Sequence, residues 1–281
     1  MARMGWNGWA NTLAPPARRA GMSGVATIVQ AALRWPLSVI GQVADTYRLA
    51  VGMAWAAPVI VALVVVPEAA QHVAEIRMGM FVTGDTIDPG RETQIRMAFG
   101  AMKVAGLMSA MFLTLRFRLA GSDKGRALTL SLPGIGRFVL AMAVTSAVDA
   151  TSLILSGERL PLASASARAT AETVLSVLRF TVQALLLLWL IGTVAGDRAM
   201  TIRRSVRLGV RNIPRAVILV PAAFLPASLL HQQMHVWARG AEPVLVWALM
   251  AADSLLVGLM ATATGCAFYV FYRDAAAGER T

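Results

Sequence analysis

Six long apolar stretches divide this chain, and the polar connections between them alternate in charge. The stretches lie at about 49–67, 97–115, 138–155, 173–195, 216–230 and 244–269. A helix needs roughly 20 apolar residues to cross about 30 Å of hydrocarbon. Most of the stretches reach that length. In lipid the backbone N–H and C=O groups must find their partners within the segment, so these stretches predict helices. The expected fold class is all-α, a polytopic bundle of six transmembrane helices. A mean hydropathy of +0.63, with 57% hydrophobic residues, excludes an ordinary soluble domain. The fifth stretch is the shortest, and Pro221 and Pro226 within it predict a bend.

Charge gives the orientation. The segment ahead of the first stretch holds five Arg and one Asp; residues 116–137 hold five basic residues and one acid; residues 196–215 hold six Arg and one acid. The intervening connections are neutral or acidic: five acids against three Arg at 68–96, two of each at 157–172, and Arg239 with Glu242 at 231–243. Lys and Arg resist translocation, so the basic connections stay in the cytoplasm. Both termini are then cytoplasmic. Of 26 basic residues only Lys103 and Lys124 are lysine, a bias that with abundant Ala suggests a bacterial source and hence an inner membrane. The net charge of +11 is spread over the cytoplasmic connections. Membrane lipids, including anionic headgroups at that face, are the expected partners, and nucleic acid is not. The domain reading is a flexible cytoplasmic tail at 1–28, a membrane domain at 29–274 and a second tail at 275–281. Cys266 is the single cysteine, so no intramolecular disulfide can form.

The three basic segments share a form. LSVIGQVADTYR at 37–48, RALTLSLPGIGR at 126–137 and MTIRRSVRLGVRNIPR at 200–215 each lead into an odd-numbered span. In the last, Ile202, Val206, Val210 and Ile213 recur at helical spacing, while Arg203, Arg204, Arg207 and Arg211 fall largely elsewhere around the helix. That predicts amphipathic helices in the cytoplasmic interface and a threefold internal repeat. The passage RRSVRLGVRNIPRAVILVPAAFLP at 203–226 and the terminal ATATGCAFYVFYRD at 261–274 resemble bacterial six-span proteins. These include the membrane domain attached to some glycerophosphodiester phosphodiesterases. The chain carries no phosphodiesterase catalytic domain, so the resemblance implies a membrane bundle and no hydrolase activity.

Ionisable residues inside apolar stretches are the best pointers to function, because each is costly in lipid unless paired. Lys103, Asp149, Arg179 and Asp253 qualify. Lys103, Asp149 and Arg179 sit at matching depth, roughly 9 Å below the outer boundary, so they can form a cluster. Asp253 lies nearer the midplane with Gln183 at similar depth. These five residues read either as a polar cavity for an ion, proton or amphiphile, or as structural pairs that fix helix register. His231 and His235, in HQQMH, have the spacing of two ligands on one helical face. Gln232 stands where the zincin motif has Glu, nothing in the sequence brings His72 or Glu242 near, and these residues read as interfacial histidines with no metal. No HExxH, GxSxG or P-loop is present, so no enzyme activity and no cofactor are expected. Two function classes follow: a non-enzymatic bundle that organises envelope components or lipids, with a membrane-protein partner or a second copy, and a small transporter or permease-like protein that uses the buried charges.

Overall fold

The computed structural model describes residues 24–82, 89–129, 132–155 and 165–277, with side chains described outside 24–37, 89–96, 149–155, 165 and 168. The chain divides into two compact units, Met1–Ser38 and Val39–Thr281. Of the first, the described part is the opening of a helix. The second contains the rest of the described residues. All regular structure among the described residues is helical: α1 (Gly24–Ala56), α2 (Pro58–Arg77), α3 (Pro89–Leu119), α4 (Lys124–Leu128), α5 (Leu132–Leu155), α6 (Ala165–Ala195), α7 (Ile202–Ala238) and α8 (Pro243–Ala277).

Five helices carry a stretch long and apolar enough to cross a membrane: Pro58–Arg77, Met97–Leu119, Ala169–Ala195, Ile202–Ala238 and Pro243–Ala277. The apolar stretch of α5, Leu132–Val148, is shorter. These lengths and compositions are those of a membrane protein. Helix α8 is largely apolar on every side, as expected of a helix that faces other helices on one side and lipid on another. It packs against α2, α3 and α7. Its Val257, Ala263, Cys266, Ala267 and Val270 are fully buried.

The first crossing helix differs from the sequence reading. Ala57, at φ −147° and ψ 63°, separates α1 from α2, which opens on Pro58. The first helical position needs no N–H, so proline is accommodated there. The crossing helix is therefore Pro58–Arg77 and not 49–67. Glu68, Gln71, His72 and Glu75, which sequence places in an outer connection, lie within it and are buried. Pro67 sits inside α2 without ending it. Its ring leaves the Leu63 carbonyl without the usual helical donor. Gly106 of α3 approaches that carbonyl so closely that a Cβ there would stand 2.3 Å from the oxygen. Gly258 likewise lets α8 approach α2, since a Cβ there would meet Val65 at 2.6 Å.

The third basic segment also differs. It is not a separate helix but the opening of α7, 37 residues that continue through Pro214, Pro221 and Pro226. Arg203, Arg207 and Arg211 are exposed and Arg204 is half-buried. Their opposite face, with Ser205, Leu208 and Gly209, is buried. The Ser205 hydroxyl donates to the Leu185 carbonyl (2.6 Å) and accepts from the Trp189 N–H (2.9 Å), which ties α7 to α6. Pro226 cannot donate to the Ala222 carbonyl, and the Tyr47 hydroxyl of α1 donates to it instead at 2.8 Å. At the far end of α3, Arg116 donates to the carbonyls of Ala127 (2.8 Å), Thr129 (2.8 Å) and Val194 (3.2 Å). One guanidinium thus ties α3 to α4 and to the end of α6.

The Gly106 contact is testable. At Gly100, on the same helix, an added methyl group would meet nothing within 4 Å. Gly106→Ala lowers the melting temperature of the detergent-purified protein, at a cost of about 1–3 kcal/mol from overpacking. Gly100→Ala leaves it unchanged or raises it, because alanine is the better helix former.

Candidate functional site

The residues buried in α2 form one face. Glu68, His72 and Glu75 follow one another at spacings of four and three, so all three project from the same side. Across from them stand Lys103 of α3, His231 and His235 of α7, and Asp253 of α8. All three histidines of the chain meet here. Glu68, Glu75 and Asp253 are at most 1% exposed, and His72 is 2% exposed. The side chains of Lys103, His231 and His235 retain 20–25% exposure, so the centre is closed more fully on the α2 and α8 sides than on those of α3 and α7.

Asp253 is the hub. Its carboxylate lies 2.9 Å from His72 Nε2, 2.8 Å from His231 Nδ1 and 3.4 Å from His235 Nε2. His72 Nδ1 meets Glu75 Oε2 at 3.0 Å, and Glu75 in turn accepts a hydrogen bond from Gln71 Nε2 at 2.8 Å. Lys103 Nζ donates to Glu68 Oε1 at 2.7 Å, and the same oxygen lies 3.4 Å from His72 Nε2. Glu68 Oε2 is buried and has no hydrogen-bond partner among the described residues. The imidazoles pack on one another: His72 and His235 have ring centroids 5.2 Å apart, His231 and His235 4.9 Å. Phe81 covers His235 at 5.9 Å. Above it, the Gly240 N–H donates to the Phe81 carbonyl at 2.7 Å, joining the turn after α2 to the turn after α7.

No family model, curated protein or solved structure matches this chain. The site is therefore read from its own geometry. Two donor sets, His72 with His235 and Asp253, and Glu68 with His231 and Asp253, each place one ligand atom per residue within 4.8 Å of the others. An array of imidazole and carboxylate donors can hold a cation or relay protons.

Of the residues singled out from sequence, Lys103 and Asp253 belong to this centre, linked through Glu68 and His72. Arg179 lies on α6 with its guanidinium 4.8 Å from the Phe180 ring centre. Gln183 lines a separate cavity of about 690 Å³ whose walls include Phe112, Phe138, Met142 and Leu187. The side chain of Asp149 lies outside the described residues. Sequence reasoning misses Glu68 and Glu75, and sets aside the HQQMH histidines with His72 as interfacial residues because nothing in the sequence brings them together. The signal is present nonetheless: the α2 spacing puts three ionisable groups on one helix face, and the i, i+4 histidines lie on another.

The Lys103–Glu68 pair is separable by a double substitution. Lys103→Met leaves a buried carboxylate without its cation and lowers stability by about 3 kcal/mol, the low end for breaking a buried pair because Lys103 is partly exposed. Adding Glu68→Gln recovers most of that loss, as read by thermal unfolding of the single and double variants in detergent.

Proposed function

We infer that this chain is a small multi-pass transporter or permease-like protein of a bacterial inner membrane, with the histidine–carboxylate centre as its cation site. The observation that carries the reading is the convergence of Lys103 and Asp253 with three histidines and two further carboxylates from four helices. Intramembrane ionisable groups are rare, and a convergence of them points by default to an ion or proton pathway. Partial exposure of His231, His235 and Lys103, against full burial of Asp253 and Glu68, fits a site reached from one side. Pro67 immediately precedes Glu68, and Pro226 precedes His231 by five residues. Interrupted helices beside a buried site are the common architecture of transporters.

In this reading α5 supplies the sixth crossing and both termini are cytoplasmic. Taking Pro58–Arg77 as the first span leaves three acids and two Arg between it and the Met97–Leu119 stretch, still without the positive excess of the other side. Arg203, Arg204, Arg207 and Arg211 lie at the cytoplasmic headgroups, where anionic lipid is their partner. The likeness of residues 203–226 to the phosphodiesterase-attached membrane domain contributes the bundle and nothing catalytic, and the proposal includes no enzyme activity. A second reading, a non-enzymatic bundle that organises lipids or envelope components alone or as a homo-oligomer, draws on the exposed basic face of α7.

Two measurements test the inference. A periplasm-dependent reporter fused after residue 281 stays inactive; activity overturns the orientation. Reconstituted vesicles containing the protein conduct or exchange cations, and Asp253→Asn abolishes the flux. Equal flux from wild type, Asp253→Asn and protein-free vesicles overturns transport and leaves the scaffold reading.

A further inference from the structure

We propose that the centre is a binding site for one divalent transition-metal ion of the zinc class, held by His72, His235 and Asp253, with Glu68 and His231 flanking the fourth position. This rests on the transport reading only for its physiological use; the site itself stands on four features of the geometry.

The first is spacing. A tetrahedral zinc ion bound at 2.0–2.1 Å has ligand atoms about 3.3 Å apart. His72 Nε2 and His235 Nε2 lie 2.9 and 3.4 Å from Asp253 Oδ2, and all three donor atoms fall within 4.8 Å of one another. The two distances to Asp253 are already within about 0.5 Å of that tetrahedral spacing.

The second is the orientation of His72. Its Nε2 faces the donor set while its Nδ1 faces Glu75, which Gln71 holds from the other side. A ligating histidine whose second nitrogen donates to a carboxylate is the recurrent outer arrangement of metal sites, because it sets the tautomer and raises ligand basicity. Glu75 is thus a positioning residue.

The third is charge. Glu68, Glu75 and Asp253 bring three carboxylates, and Lys103 is the one lysine or arginine paired with them among the described contacts. With the imidazoles neutral, as metal ligation requires, the centre carries two net negative charges in a medium that penalises each one. A single divalent cation neutralises it; two would leave an equal excess of positive charge. One ion is therefore favoured even though two donor sets share Asp253. The fourth is Glu68, which is fully buried with Oε2 lacking a hydrogen-bond partner among the described residues. A buried unpartnered carboxylate oxygen on a residue beside the His72 and His231 imidazoles is placed to receive a cation.

The donors also select the metal. Imidazole with carboxylate suits zinc, manganese, iron(II), cobalt and nickel, whereas calcium and magnesium prefer all-oxygen sites. Cys266 is buried in the half of α8 beyond Gly265, away from the centre, so no thiolate enters.

The test uses the full chain in mild detergent, stripped with a chelator and titrated with zinc sulfate alone. One zinc binds per chain, and cobalt(II) in its place gives the visible absorption of a four-coordinate ion. Glu75→Gln weakens binding roughly 10- to 100-fold, the usual effect of removing an outer carboxylate. His72→Ala and Asp253→Asn weaken it further, and Cys266→Ser leaves it unchanged. Should the ligand variants fail to fold, the wild-type stoichiometry and a zinc-dependent rise in melting temperature decide the matter. Absence of zinc binding to the wild type, or binding that survives both ligand substitutions, overturns the site. Zinc bound without flux in vesicles keeps the site and removes transport; cation flux without zinc binding removes the site and keeps transport.

Discussion

A charge inside a bundle of lipid-spanning helices has no water to retreat to, and the centre around Asp253 is arranged by that constraint. Three imidazoles converge on one carboxylate, and a lysine on another. Each group is tolerable in hydrocarbon only because its neighbours are present. The same requirement dictates which helices meet. Glu68 and His72 hold α2 to α3 and α8, and His231 with His235 holds α7 to α8. Small residues make the approach possible: Gly106 lies three positions after Lys103, and Gly258 five after Asp253. Electrostatics and close packing are therefore a single problem, solved within two helical turns.

Proline adds a second layer. Both α2 and α7 carry a proline next to the centre, and each proline strands a backbone carbonyl. The Leu63 oxygen is closed off by the backbone of α3 at Gly106, and the Ala222 oxygen is met by the Tyr47 hydroxyl. The helices stay continuous while their internal bonding is locally loosened. That combination is tolerated in membrane helices when neighbours supply the missing partners.

The helical class and most of the crossing segments are legible in the sequence because they depend on apolar length alone. Lys103 and Asp253 are legible for a similar reason, since an ionisable residue inside such a run is conspicuous. What cannot be read is azimuth. Depth along a helix follows from 1.5 Å per residue, but which way a side chain faces across the bundle depends on packing. Gln183 shares depth with Asp253 yet lies on α6, where it lines a separate, largely apolar cavity. The limits of α2 escape the sequence because Pro67, Glu68 and His72 are loop signals in water. In this bundle they are satisfied by partners far along the chain; His72 and Asp253 are 181 residues apart. Once α2 is taken as ending at Pro67, HQQMH has nothing to face and reads as surface.

The length of α7 has a consequence for how the centre responds to its surroundings. Its 37 residues make a rod about 55 Å long, well beyond the hydrocarbon thickness. Arg203, Arg204, Arg207 and Arg211 lie near one end of it, and Trp237 lies near the opposite end. Such a rod answers a thinner or thicker bilayer by leaning. Two of the three imidazoles ride on it, while Asp253 is carried by its neighbour. If α7 spans the bilayer as proposed, its lean sets how far the two histidines it carries stand from that carboxylate.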